Sequence, residues 1–96
     1  MLVRAAGDLD LHTCPEFQEV LGRASAHHPS RLVVDLSGVT FMDSTALGVL
    51  VVLQRGMSRP LDVVVTRPQL RRVLAITGLD SVFALHSSLD GVERAA

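Results

Sequence analysis

Asp43-Ser44-Thr45 combines side-chain types and position into usable chemistry. A hydroxyl follows a carboxylate directly ahead of the apolar run Ala46-Leu47-Gly48-Val49-Leu50-Val51-Val52-Leu53, which puts Ser44 at the start of a helix. Helix starts leave several backbone N–H groups without partners and carry the positive end of the dipole, so they receive anions well. Phosphorylation of Ser44 would add about −1.5 to −2 charges at neutral pH and turn a mildly acidic surface beside Asp43 strongly acidic. A protein docking there would meet that change directly. The same residues suit a plainer role, because Asp, Ser and Thr are also favoured N-caps. Two details weigh against capping alone. Thr13-Cys14-Pro15-Glu16 and Thr66-Arg67-Pro68-Gln69 both have the capping-box form, with an acid or amide three residues after the threonine; neither Asp43 nor Ser44 has one. Phe41 and Met42 also put bulky apolar side chains in a loop expected to be partly exposed. The residues alone leave capping and switching both open.

The helix after Ser44 carries a second signal. It is apolar nearly all round, whereas a helix lying on a sheet needs one apolar face. Leu47, Leu50 and Val51 form the stripe for the sheet, while steps of three and four from Ser44 reach Gly48, Val52, Arg55 and Arg59 on another face. Gly48 costs roughly 1 kcal/mol of helix stability against alanine, yet lets another backbone approach beside Ser44. A core helix packed on both sides is the alternative; a partner-facing edge is the preferred reading. The candidate docking residues are therefore Phe41, Met42, Asp43, Thr45, Gly48, Val52 and Arg55, around a modification site at Ser44.

The elements that must hold this site follow from periodicity. Leu2 to Ala6 reads as a strand ended by Gly7-Asp8. Thr13 caps a helix with its buried stripe at Phe17, Val20, Leu21 and Ala24, and His27-His28-Pro29 stops it. Arg31 to Leu36 is a short run of the kind a parallel strand buried on both faces shows, and Ser37 to Phe41 is expected to be the turn after it. The second helix should run from about Ser44 to Met57. Leu61 to Val65 gives a third strand. A helix capped at Thr66 and stopped at Gly78 follows, with Leu70, Val73 and Leu74 as its stripe. Phe83 to His86 is a last strand, and Leu89 to Arg94 a final helical turn or two. The alternation predicts an α/β fold: one domain over residues 1–96, with helices packed on a mostly parallel central sheet. The turn from Ser37 to Asp43 would then lie at the carboxyl ends of the strands, where sites gather in open sheets.

Composition limits the function. Ninety-six residues hold one core, and 48% hydrophobic residues are enough to build it. Aromatics at 3% offer no stacking platform, and a net charge of −1 gives no footprint for nucleic acid or an anionic membrane. No apolar run reaches the ~20 residues of a membrane span, and one cysteine suits a reducing compartment, so a cytoplasmic protein is expected. His12, His27, His28 and His86 share no metal-ligand spacing with Cys14 or a carboxylate, so no metal or cofactor is expected. Cys14 begins a helix, which would lower its pKa; an inert thiol remains the simpler reading. Arg67, Arg71 and Arg72 read as a solvated helix face. No phosphate loop or nucleophilic triad is present, so an enzyme is not expected.

Val34-Asp35-Leu36-Ser37-Gly38-Val39 followed by Phe41-Met42-Asp43-Ser44-Thr45-Ala46-Leu47-Gly48 resembles the signature of STAS-domain anti-sigma factor antagonists. Gly7-Asp8-Leu9-Asp10 with Thr13 and Pro15 is similar to the family's entry to its first helix, and Leu74, Thr77-Gly78-Leu79 and Phe83 to its closing segment. The resemblance implies that Ser44 is the phosphoacceptor. It further implies a partner-switching cycle. The unmodified domain binds an anti-sigma factor that is also a Ser kinase of the histidine-kinase-like ATPase fold, and so frees a sigma factor. Phosphorylation of Ser44 ends that complex, and a PP2C-type phosphatase restores it. The runner-up is a STAS subunit that regulates a transporter or lipid-transport ATPase without being phosphorylated. Two departures stand out. Ala46 replaces the family's usual glycine, which implies a narrower fit for partner or kinase, and the family's opening strand is expected to be missing ahead of Met1.

Overall fold

The computed structural model describes residues 1–95. Its elements in order are β1 (Leu2–Leu9), α1 (Cys14–Ala26), β2 (Val33–Met42), α2 (Ser44–Arg55), β3 (Asp62–Val64), α3 (Pro68–Ile76), a 3-10 turn (Leu79–Ser81), β4 (Ala84–His86) and α4 (Leu89–Ala95). The strands form a single sheet in the order β1-β2-β3-β4, and every pairing is parallel. A chain that steps across a parallel sheet in one direction by right-handed crossovers must put all its crossover helices on one face. The main core shows that arrangement. Val34 and Leu36 of β2, Val63 of β3 and Val65 just after it meet Phe17 and Leu21 of α1, Leu47 and Leu50 of α2, and Leu70 and Leu74 of α3. The last helix covers the opposite face, where Val92 packs on Val33 and Val64.

The predicted turn from Ser37 to Phe41 is instead the second half of β2. Gly38 pairs with Ala6, Val39 with Gly7, Phe41 with Asp8 and Met42 with Leu9. Two bulges on β2 keep this long pairing in register, each with one extra residue, one opposite Arg4 to Ala6 and one opposite Gly7 to Asp8. Gly7 has a φ of 77°, which lets the strand bend where a turn was expected to end it. Gly38 sits at a close approach, since a Cβ there would lie 3.1 Å from the Cβ of Ala6 and push on it. A Ser-Gly pair reads as a turn in isolation; here the partner strand overrides it.

Helix starts also differ from expectation. Thr13 precedes α1 but makes no side-chain cap. Its hydroxyl donates to the Asp8 carbonyl at 2.7 Å, while the Asp10 carboxylate accepts from the amides of His12 and Thr13. Those hydrogen bonds, the one from Thr13 first, hold the Asp10 carboxyl below its ordinary range. At α3 the cap position falls on Arg67, again without a side-chain bond, and Pro68 supplies the fixed φ of a first helical residue. Both helices end as predicted. His28, with a φ of 49°, and Pro29 follow α1, and Gly78 is left-handed after α3.

A buried charge joins the elements that α4 covers. Asp62, 2% exposed, accepts from Arg31 Nε at 2.6 Å and lies 2.8 Å from His86 Nε2. Arg31 Nη2 also donates to the Val92 carbonyl of α4 at 3.1 Å. One carboxylate therefore ties the entry of β2, the strands β3 and β4, and α4 together. Burial pushes the Asp62 carboxyl up, but the hydrogen bonds and charges of Arg31 and His86 outweigh that and bring it below 3.8. The group binds fewer protons folded than unfolded, so its contribution to stability is full above pH 3.8 and fades as pH falls through the folded value. Replacing Asp62 by Ala leaves Arg31 unpaired against α4, and urea denaturation is expected to show a loss of about 3 kcal/mol. The variant should also lose the part of the acid destabilisation that lies below pH 3.8. An unchanged midpoint would mean that the network contributes nothing net.

Candidate switch site and docking face

The site is built where β2 ends and α2 begins. Asp43 has extended backbone, with ψ at −178°, and its Oδ1 accepts from the amides of Thr45 at 2.9 Å and Ala46 at 3.1 Å. Asp43 is therefore the N-cap, formed without the capping box that failed to predict caps at Thr13 and Thr66. The Asp43 amide donates to the Leu9 carbonyl at 3.1 Å, so the cap is anchored to the end of β1. Ser44, the first helical residue, is exposed, and so is Thr45. The neighbouring carboxylate and hydroxyl are thus placed differently: the carboxylate of Asp43 caps the helix, and Ser44 is left at the surface.

This division changes the electrostatics expected from sequence. Two of the first-turn amides are already taken by Asp43, so a phosphate on Ser44 would lie beside a carboxylate rather than sink into an empty helix end. Its charge would be presented outward.

The remaining candidates separate cleanly by burial. Phe41 is 51% exposed and Val52 64%; Gly48 and Arg55 are exposed as well. These four share the surface with Thr45 and Ser44. A Cβ built on Gly48 would meet nothing within 4 Å, so the glycine leaves real space on this face. Met42 is a correction. It is 7% exposed and belongs to the main core, because β2 continues through it and strand alternation turns it inward next to outward-facing Phe41. Ala46 is a second correction. Its side chain is fully buried, so its methyl group faces the sheet and does not narrow the surface that a partner meets. Cys14 is a third. Burial first, then the charges of Asp43 and Asp10, push its thiol up, the opposite of activation. Arg71 is also not a free cation, since its Nε donates to the Val65 carbonyl and its Nη2 to Ser87 Oγ.

Two features of the site escaped the sequence. Leu11 is 68% exposed in the loop after β1, whose end pairs with Phe41 and Met42, so it adds a second apolar group at this end of the sheet. Asp8 accepts from Thr40 Oγ1 at 2.7 Å and links the same strand ends. Pairing between strands some thirty residues apart fixes both, and no local pattern reports it.

The sequence model of the family described as "Mlab, STAS domain" matches residues 1–87. The chain belongs to the STAS-domain family. Among curated relatives, the anti-sigma-F factor antagonist RsfB of Mycobacterium tuberculosis is 36% identical over 85 residues, covering 86% of this chain and 70% of RsfB. The anti-sigma-B factor antagonist of Staphylococcus aureus is 29% identical over 91 residues, covering 92% of this chain and 84% of its own length. The crystal structure of an anti-sigma factor antagonist from Mycobacterium paratuberculosis superposes with a TM-score of 0.92 at 33% identity, covering 98% of this chain and 82% of that one. SpoIIAA in its unphosphorylated form shares the fold at a TM-score of 0.73 and 16% identity, covering 98% of this chain and 86% of its own. The phosphorylated form of the Bacillus protein shares it at 0.71 and 18%, covering 99% and 89%.

The cap itself is testable. Asp43→Ala removes the acceptor for two amides, and thermal or urea unfolding should show a loss of about 1 kcal/mol. The Ser44 side chain makes no hydrogen bond among the described residues, so Ser44→Ala is expected to stay within about 0.5 kcal/mol of the parent. Equal losses in the two variants would contradict the division of roles.

Proposed function

We propose that the chain is an anti-sigma factor antagonist that binds its anti-sigma factor when Ser44 is unmodified and releases it when Ser44 is phosphorylated. The observation that carries this reading is an exposed serine hydroxyl at the first residue of α2, directly after a carboxylate already committed to capping. The named relatives at 36% and 29% identity are anti-sigma factor antagonists, which supports the binding function. A binding module also suits a domain whose surface offers apolar and charged groups rather than a nucleophile and base in contact.

In this cycle the anti-sigma factor is itself the Ser kinase. It docks over Phe41, Thr45, Gly48, Val52 and Arg55, which brings its nucleotide to Ser44. Transfer of the terminal phosphoryl group of ATP to Ser44 Oγ leaves ADP and a phosphoserine beside Asp43. The partner must then bury or oppose a dianion next to a carboxylate, and an unpaired charge in an interface costs several kcal/mol. Each 1.4 kcal/mol is about tenfold in affinity, so a stable complex becomes a transient one. A PP2C-type phosphatase hydrolyses the ester and returns the serine. SpoIIAA has been solved in both its unphosphorylated and its phosphorylated form, and both share this fold, which supports a switch that needs no refolding.

Incubation with the cognate kinase and labelled ATP tests the assignment. Ser44→Ala should incorporate no phosphate, while Thr45→Ala should retain most of the incorporation. Mass spectrometry that locates the phosphate on Thr45 or Ser37 would refute it.

A further inference from the structure

The parallel helices α1 and α2 leave a groove of about 860 Å³ between them on the outer side of the core. Its floor is apolar, formed by Leu21, Leu32, Val49 and Leu53. Gly22 of α1 and Gly48 of α2 line its walls, and a Cβ on either would meet nothing within 4 Å. From Thr45 to Gly56 the groove follows α2 for roughly 16 Å at 1.5 Å per residue, the length of three helical turns. One end opens at Thr45, beside Ser44, and the other at His28 and Arg59. Among the described residues no carboxylate lines the groove and Arg59 makes no ion pair.

We infer that this groove receives an amphipathic helix of the anti-sigma factor, lying antiparallel to α1 and α2 with an acidic first turn at Arg59. The inference rests on the proposed partner-binding function and assigns it a surface that includes α1. Its argument is complementarity of charge and dipole. Both α1 and α2 follow parallel strands back across the sheet, so their carboxyl ends lie together at the His28 and Arg59 end. Two helix carboxyl ends give that end a partial negative charge, while Arg59 gives it a full positive one. The amino end of a helix satisfies both, because its free N–H groups are partially positive and its first turn favours acidic side chains. A small anionic amphiphile satisfies Arg59 alone. The open, three-turn groove suits a helix laid along it, with apolar residues of the partner at i, i+3, i+4 and i+7 over Val49, Val52 and Leu53. Gly22 and Gly48 let the partner backbone come close.

The orientation also explains the position of the switch. An antiparallel helix ends its last turn at Thr45, so its unpaired carbonyls face Ser44. A phosphate there would oppose a helix carboxyl end, an arrangement that disrupts by repulsion.

Titration calorimetry with the purified cognate anti-sigma factor tests the assignment. Gly22→Phe fills the groove, and Arg59→Glu reverses its basic end; each should weaken binding about tenfold or more. Arg67→Glu, at the start of α3, serves as the charge control and should stay within about twofold. Circular dichroism should give all three variants the parent unfolding midpoint. The chain phosphorylated on Ser44 is measured alongside. If phosphorylation abolishes binding but Gly22→Phe and Arg59→Glu bind like the parent, the groove assignment is overturned and the switch stands. If the unmodified parent does not bind at all, both are overturned. Sedimentation showing that Gly22→Phe breaks a dimer of this chain, with partner affinity unchanged, would overturn the assigned occupant. Native mass spectrometry showing that it expels a bound amphiphile, again with affinity unchanged, would do the same.

Discussion

Two hydrogen bonds from the amides of Thr45 and Ala46 to one oxygen of Asp43 determine where β2 stops and α2 starts. Everything that follows depends on that junction. The amide of Asp43 is tied to the carbonyl of Leu9, so the helix start is pinned to the paired ends of β1 and β2. From there Ala46, Leu47 and Leu50 enter the core, and the helical repeat brings Ser44, Gly48 and Val52 to the surface. A single carboxylate thus caps the helix, orients its apolar stripe and leaves a hydroxyl free for modification. Its charge also makes the site sensitive, because any second anion must be placed next to it.

The proposed switch needs rigidity behind it. The sheet supplies it through side chains with almost no exposure on β2 and β3, with Val34, Val39, Val63 and Val64 all fully buried. Valine is stiff at χ1, so such a core loses little side-chain entropy on folding and offers few alternative packings. The opposite face is secured differently, by Asp62 held between Arg31 and His86 and by Val92 of α4. A charge change at Ser44 therefore meets a helix start backed by a fully buried core. The effect is expected at the surface, where a partner stands, and not in the fold.

Much of this was legible in the chain. Alternating apolar runs and helix stops at His28-Pro29 and Gly78 defined the order of elements, and the string around Asp43 and Ser44 marked the site. Local signals failed where tertiary pairing decides. Ser37-Gly38 has turn chemistry, yet β1 extends far enough to hold it as strand. Met42 lies next to Phe41 and has similar hydrophobicity, yet one side of a strand is core and the other is solvent. Two capping boxes made no side-chain cap, while Asp43 capped without one; at Thr13 the hydroxyl oxygen instead accepts from the Asp10 amide at 2.9 Å and its proton is given to the Asp8 carbonyl. The Arg31, Asp62 and His86 cluster joins residues 31 and 24 positions apart, and only the strand register brings them into contact.

The central claim is that charge at Ser44, on a preformed surface, governs partner binding without refolding. Ser44→Asp tests it most directly, by titration calorimetry against the cognate anti-sigma factor together with chemical denaturation of the free domain. Binding should weaken by about tenfold or more, while the unfolding free energy stays within about 0.5 kcal/mol of the parent. If Ser44→Asp binds as tightly as the parent, or loses binding because the domain has unfolded, the account is contradicted.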